Sequence, residues 1–360
     1  MINKKRLVKT FLDLVTIDSP SGEEKKVSIF VSGILKKLGG EVEFDSYGNI
    51  IAKFKGRGEP IMLNSHLDTV EPGRGINPHV LADKITSDGT TILGGDAKAG
   101  VATIIEALTS LKEKGMEHKP IDVVFTVEEE TGLFGAINLD YDLLEAKHGV
   151  TLDGHSSVKD FTISAPGYIR VDATIVGRSA HSGYEPEKGL SAIRIASEII
   201  TRLQEGRIDH ETTANIGTIE GGSVRNAVPE TVHLKGEIRS RNLKKLEKHK
   251  EHFEKVFREV MGKYPESKLD LNLFKEFDPY VFDGSQKIIK LATEALKKIG
   301  REPTLAPSGG GTDVNIFHTK GIEALCVGAG YYEAHTTREY VVISEMLEGA
   351  SFCEEIVSNK

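Results

Sequence analysis

The sequence is poor in cysteine, has no long apolar run and carries no excess of basic charge. Only Cys326 and Cys353 occur among its 360 residues, far apart and in no metal-binding or redox spacing. That excludes a disulfide framework and suits a reducing cytosol. No apolar stretch reaches the roughly 18 residues a membrane-spanning helix needs, so no membrane partner is expected. The basic start, Met1 to Arg6, runs into an amphipathic segment rather than an apolar core, which is not the pattern of a signal peptide. A net charge of −8 argues against nucleic acid as the main partner. There is no internal repeat and no low-complexity tract. With 39% apolar and 28% charged residues, the composition is that of an ordinary soluble chain, expected in the cytoplasm.

What is present centres on the run from Pro60 to Val70, where an apolar strand feeds into His66 and Asp68. Alternating side chains put positions i and i+2 on one face, so a strand continuing through this stretch presents both residues together. Ligands of open α/β sheets bind beyond the carboxyl ends of the strands, and a carboxylate beside a metal-binding imidazole fixes its tautomer.

Around this strand the periodicities predict helices at 4–17 and about 22–38. The second has capping chemistry in Ser21-Gly22-Glu23-Glu24 and a stop at Gly39-Gly40. Short strands at 41–46 and 49–54 flank a Tyr47-Gly48 turn, and 72–90 reads as loop with a small hairpin. A helix over 98–114 opens at Gly94-Gly95-Asp96. Buried-type strands at 121–127 and 149–152 end at Glu128-Glu129-Glu130 and at Asp153. From 167 the pattern changes to strand, helix (187–204), two strands (213–220, 231–239), helix (243–261) and strand (268–275), the order of a ferredoxin-like unit. An α/β pattern then resumes with a helix at 284–299, a strand at 322–327 and a final helix at 343–358. These elements predict a first domain over 1–166 and 276–360, with a second, 167–275, inserted into it.

Three strands thus end in potential ligands, and His66, Asp68, Asp96, Glu129, Glu130, Asp153 and His335 form one polar set. Mixed nitrogen and oxygen donors suit zinc or cobalt, whereas an oxygen-only set would suit magnesium or calcium. Asp96 has the short reach of a bridge between two cations. Glu129 and Glu130 are adjacent, so one can ligate while the other stays free as a general base. Each feature has a plainer reading when taken alone. Three successive glutamates are more often a solvated acidic patch, and His181 more often a histidine at a strand end. Arg239 can as easily pair with Glu237. Gly309, Gly310 and Gly311 can form a simple turn, and without a following Gly-Lys-Ser/Thr they do not make a phosphate loop.

Taken in order, His66-x-Asp68, Gly94-Gly95-Asp96-x-Lys98-x-Gly100, Glu129-Glu130-x-Gly132, Asp153 and the late His335 resemble the M20 family of metallopeptidases. Gly177-Arg178-Ser179-Ala180-His181-Ser182 is similar to the signature of that family's lid. The motifs around Asp96 and Glu129 look most like the peptidase T, or tripeptidase, branch. The resemblance implies a zinc-peptidase-like α/β catalytic domain whose mixed sheet is flanked by helices. It also implies an inserted ferredoxin-like α+β lid and dimerisation domain, and hence a homodimer. Two divalent cations per subunit are implied, zinc first, with cobalt or manganese as alternatives. His66 and Asp153 would hold one, Glu130 and His335 the other, and Asp96 would bridge. Asp68 would orient His66, Glu129 would be the base, and His181 would stabilise an oxyanion in the opposite subunit. Asn226 and Arg239 would hold a substrate carboxylate, and Gly309, Gly310 and Gly311 would line the substrate site. The resemblance also implies a cis peptide bond after Asp96. The expected activity is hydrolysis of small peptides by a di- or tripeptidase. A deacylase of N-acyl amino acids or a carboxypeptidase is the alternative, and a catalytically silent peptide-binding dimer is the alternative of another class.

Overall fold

In a computed structural model that describes residues 1–359, the stripe of Leu7, Phe11, Leu14 and Val15 is the buried face of α1 (Lys4–Val15). The chain continues through α2 (Lys25–Leu38), β1 (Glu41–Phe44), β2 (Ile50–Phe54), β3 (Ile61–His66), β4 (His79–Val80) and β5 (Lys84–Thr86). Then come α3 (Gly95–Lys114), β6 (Ile121–Thr126), α4 (Phe134–Asn138), β7 (His148–Gly154) and β8 (Asp160–Ala165). Next are β9 (Gly167–Val176), α5 (Ala192–Ile200), β10 (Gly206–Arg207), β11 (Thr212–Gly221), β12 (Thr231–Ser240), α6 (Leu243–Met261), β13 (Lys268–Phe277) and β14 (Tyr280–Val281). The last stretch holds α7 (Lys287–Lys298), β15 (Thr304–Pro307), α8 (Asp313–Thr319), β16 (Glu323–Gly328), β17 (Tyr331–Tyr332), β18 (Tyr340–Val342) and α9 (Ile343–Val357).

The chain divides into two compact units. The first comprises Met1–Ile163, Phe282–Ser308 and the described residues from Thr312 onward; the second comprises Ser164–Val281 with Gly309–Gly311. In the first, the sheet order is β1-β2-β6-β3-β7-β16-β8, with β15 also paired to β8. Strands β6, β3, β7 and β16 run parallel, while β1, β2 and β8 join antiparallel. Every residue of β3 and β6 is buried, as expected of strands covered by helices on both faces. Helix α3 sits deepest. Gly100 lets it approach the sheet, because a Cβ there would lie 2.3 Å from Leu152 O and 2.5 Å from Ser65 Oγ. A second, four-stranded sheet has the order β17-β18-β5-β4. Its strands are two or three residues long, too short for any periodicity to show in the sequence.

In the second unit the sheet order is β10-β11-β12-β9-β13, all antiparallel. Apart from the short β10, this is the strand order of a ferredoxin-like fold. Alternate residues of β9 (Ile169, Val171, Ala173, Ile175) form one core with Ile195 and Ile199 of α5 and Phe253 and Phe257 of α6. Two sequence expectations need correction here. Only Ala192–Ile200 of the helix expected at 187–204 is α-helical. The chain before it makes a short 3-10 turn at Pro186–Lys188, and the Ser191 side chain then caps the helix. The helix expected from residue 22 begins at Lys25, and Glu24 makes no side-chain cap bond to it.

Candidate metal centre

The parallel strands β3, β6 and β7 deliver their carboxyl ends to one place, and the loop before α3 and the hairpin loop between β17 and β18 close on it. His66 is the last residue of β3 and 2% exposed. The strand stops there, so Asp68 lies beyond it rather than on a continuing strand face. Contact is still made: His66 Nδ1 lies 3.1 Å from Asp68 O and 3.4 Å from Asp68 Oδ1. A proton on Nδ1 shared with Asp68 leaves the Nε2 lone pair available to a cation. His66 Nε2 is 3.1 Å from Asp96 Oδ1 and 3.4 Å from Asp153 Oδ1. Across the site, His335 Nε2 lies 3.0 Å from Glu130 Oε1 and 3.3 Å from Asp96 Oδ2.

His66, Asp96 and Asp153 therefore form one triad able to hold a cation, and Asp96, Glu130 and His335 a second, each with its potential donor atoms within 4.8 Å of one another. Asp96 is common to both and offers a different oxygen to each histidine. Glu129, Glu130 and His66 form a further close group. Burial and the neighbouring Asp153 push the Glu129 carboxyl well up. Burial and Asp96 bring Glu130 to about 7, and burial likewise raises Asp153. Burial acts the same way on Asp96, but hydrogen bonds from His335 and His66 outweigh it and hold that carboxyl below its ordinary range. Burial disfavours the His66 imidazolium, yet Asp153, Asp68 and Asp96 raise it well above its ordinary value. Carboxylates packed this closely away from water lack sufficient positive charge from two imidazoles. The donor set fits two divalent cations bound through nitrogen and oxygen.

Further residues hold this arrangement, some of them within the expected motif and others, such as Glu339, outside any motif. Glu339, 1% exposed, accepts the backbone N–H groups of Leu93 and Gly94 through Oε2 (both 2.8 Å) and of Asp96 through Oε1 (2.9 Å). It thereby fastens the loop that aims Asp96. Gly95 is required beneath it, since a Cβ would lie 2.6 Å from Val341 Cγ2 and 3.1 Å from Glu339 Oε1. The peptide bond between Asp96 and Ala97 is cis. The Tyr331 hydroxyl lies 2.9 Å from Asp153 O and 3.2 Å from Asp153 Oδ1, within donating distance of both. Lys98 is fully buried and donates to Ile17 O at 3.0 Å, and burial brings its ammonium down to about 7. Asp313 is also buried. It accepts from Thr126 Oγ1 through Oδ2, while its Oδ1 has no hydrogen-bond partner among the described residues.

The remaining expected residues belong to the second unit. His181 is exposed, and its Nδ1 accepts from Gly183 N (3.1 Å) and Tyr184 N (3.2 Å). Those two bonds assign the ring proton to Nε2, which is left as a donor. Asn226 is exposed and its carbonyl accepts from Ser182 N. Arg239 pairs with Glu237 through two hydrogen bonds of 3.0 and 2.9 Å and lies 4.8 Å over the Tyr168 ring. Gly309 and Gly310 form a bend, and Gly311 leads from it to Thr312, which caps α8.

Comparison with known proteins is consistent with this geometry. The sequence model of peptidase family M20/M25/M40 matches residues 62–359. An aminopeptidase PepT of Bacillus cereus of known structure is 38% identical, with a TM-score of 0.88, over 99% of this chain and 98% of its own. A tripeptidase of Staphylococcus aureus is 34% identical, with a TM-score of 0.93, over 99% of this chain and 98% of its own. Peptidase T of Clostridium botulinum is 27% identical over 98% of each sequence.

Proposed function

This chain belongs to peptidase family M20/M25/M40 and is a metallopeptidase, and on that premise we propose that it releases residues from small peptides as a di- or tripeptidase with two cations per subunit. The observation that carries the reading is the pair of triads sharing Asp96. His66 and Asp153 would hold one cation, Glu130 and His335 the other, and Asp96 would serve both. Zinc is the first choice for this donor set, with cobalt or manganese as substitutes. Bound there, such cations lower the pKa of a water towards neutrality and polarise the scissile carbonyl.

The protein's own groups do the rest. Glu129 is adjacent to a ligand yet outside both triads that share Asp96. It takes a proton from the attacking water and returns it to the leaving amine. Asp68 keeps the His66 proton on Nδ1. His181, with its Nε2–H free to donate, stabilises the oxyanion. Asn226, Arg239 and the Gly309–Gly311 segment bind the substrate, Arg239 exchanging Glu237 for a substrate carboxylate. A homodimer formed through the second unit and a cytoplasmic location complete the proposal.

A peptide panel with N-acetylated and C-amidated versions of each hit tests the substrate class. A requirement for a free amino terminus supports the aminopeptidase-type reading, and preferred cleavage of N-acyl amino acids overturns it in favour of a deacylase. Glu129→Gln is expected to keep both cations and lose about 10²–10⁴-fold in kcat. Turnover within about tenfold of the parent removes Glu129 as the base.

A further inference from the structure

The turn after β6 carries Glu128, Glu129 and Glu130, and a carboxylate binds each of its three successive amides. Glu129 N and Glu130 N donate to the two oxygens of Asp68, at 3.0 and 3.1 Å. Glu128 N donates to Glu24 Oε1 at 3.0 Å, and the same oxygen accepts Gly22 N at 2.8 Å. Glu24 thus ties this turn to the segment before α2. That segment is itself fastened to the end of β3: Ser21 Oγ donates to Asp68 Oδ2 at 2.7 Å, Ser19 Oγ to Leu67 O at 2.9 Å, and Thr69 N to Ser19 O at 3.0 Å.

Three observations separate this from an ordinary helix start. The Glu24 side chain makes no capping bond to its own helix, so its carboxylate serves the turn instead. Glu24 is 5% exposed, so its bonds are made largely out of water, where an unpaired amide is costly. Glu128 holds a φ of +51°, a left-handed value that a non-glycine residue keeps only when its surroundings enforce it. Packing does not supply that enforcement on this side. Gly22, Glu24, Tyr47 and Glu128 line an open cavity of about 420 Å³. The hydrogen bonds from Glu128 N to Glu24 and from the Tyr47 hydroxyl to Glu128 Oε2 hold the turn there.

We propose that Glu24 is a positioning residue for the reaction: by holding the Glu128 amide it sets the backbone of the turn and so the aim of the Glu129 carboxylate. The proposal rests on Glu129 being the base. A base displaced by about 1 Å can lose on the order of 10²-fold in rate, so a remote hydrogen bond can govern turnover without touching substrate or cation.

The test uses the full chain with its cations bound and compares Glu24→Ala, Glu24→Gln, Glu129→Gln and the double variant Glu24→Ala/Glu129→Gln. Cation content, kcat, KM and unfolding midpoint are measured for each. Glu24→Ala is expected to lower kcat by roughly 10²-fold at unchanged KM and cation content. Glu24→Gln, whose amide oxygen still accepts, is expected to recover to within about tenfold of the parent. In the double variant the Glu24 change should add nothing, because it acts only through Glu129. If Glu24→Ala does not fold, Glu24→Asp, shorter by one methylene, takes its place. The proposal is overturned if kcat stays within about threefold of the parent, if it falls only in step with cation content or folded fraction, or if the Glu24 effect persists undiminished beside Glu129→Gln. Loss of activity in Glu129→Gln with none in Glu24→Ala removes the Glu24 role and leaves the base standing. Full activity in Glu129→Gln removes the base and the Glu24 proposal with it.

Discussion

Replacing Glu339 by alanine would strip three backbone donors of their acceptor at once. Leu93 N and Gly94 N bind Oε2 and Asp96 N binds Oε1, all at 2.8–2.9 Å and all buried. An unsatisfied buried donor costs about 1–3 kcal/mol, giving roughly 3–9 kcal/mol if the three costs are summed. The three donors share one carboxylate and relax together, which places the expected loss near the lower end, about 3–5 kcal/mol. Against a typical total stability of about 5–15 kcal/mol, such a loss is plainly measurable in urea. Glutamine gives a finer prediction. It has one oxygen, and placing that oxygen at the Oε2 position satisfies Leu93 and Gly94 while turning an NH₂ group towards Asp96 N. Glu339→Gln should therefore lose only about 1–3 kcal/mol. Its hydrogen exchange should quicken at the Asp96 amide while Leu93 and Gly94 stay protected. A loss below about 1 kcal/mol in Glu339→Ala, with all three amides as protected as in the parent, would refute the clamp.

Asp96→Ala should abolish binding of at least one cation, since both triads share that residue; full stoichiometry by elemental analysis would show that Asp96 is not the bridge. Gly100→Ala should destabilise the first unit by about 1–3 kcal/mol through overpacking, because the new methyl meets backbone at Leu152 O; an unchanged urea midpoint would contradict the close approach of α3. In the second unit, burial lowers the His249 and His252 pKa values, and Gln204 N donates to His252 Nε2. The folded state then binds fewer protons than the unfolded chain, so stability is full above the ordinary imidazole value near 6.5 and falls as pH drops below it. Urea midpoints at pH 7.5 and 5.5 check this, and a His252→Gln variant should show a weaker pH dependence than the parent.

Most of the candidate ligands are legible in the sequence because His66 and Asp153 lie at the ends of buried strands, Glu130 follows one and Asp96 opens a helix after two glycines; His335, in a hairpin loop, is legible only through the order of the motifs. The ferredoxin-like order is legible because β9 alternates cleanly and the two helices beside it carry apolar stripes. Glu339 is not. In Thr336-Thr337-Arg338-Glu339-Tyr340 it reads as one more surface charge, and its partners are amides more than two hundred residues earlier. Glu24 misleads for a related reason: local spacing makes it a capping residue, but a distant amide takes its carboxylate. The small hairpin expected within 72–90 is present as β4 and β5, but its pairing with β17 and β18 escapes detection because two- and three-residue strands show no period. Local patterns report what a residue does for its own element, and these residues serve other elements.

The hairpin loop that brings in His335 and Glu339 lies near the carboxyl end of the sequence, whereas the residues it joins lie between His66 and Asp153. During synthesis, at about 5–20 residues per second, the chain emerges from its amino end. By then His66, Asp96, Glu130 and Asp153 have left the ribosome, followed by the whole of the second unit. Throughout that time the second triad lacks its histidine and the Asp96 loop lacks its fastening. The long closure that supplies both comes only with the final segment. The candidate centre is thus completed only by a segment 205 residues beyond Glu130, so a chain interrupted before that point carries the first triad alone.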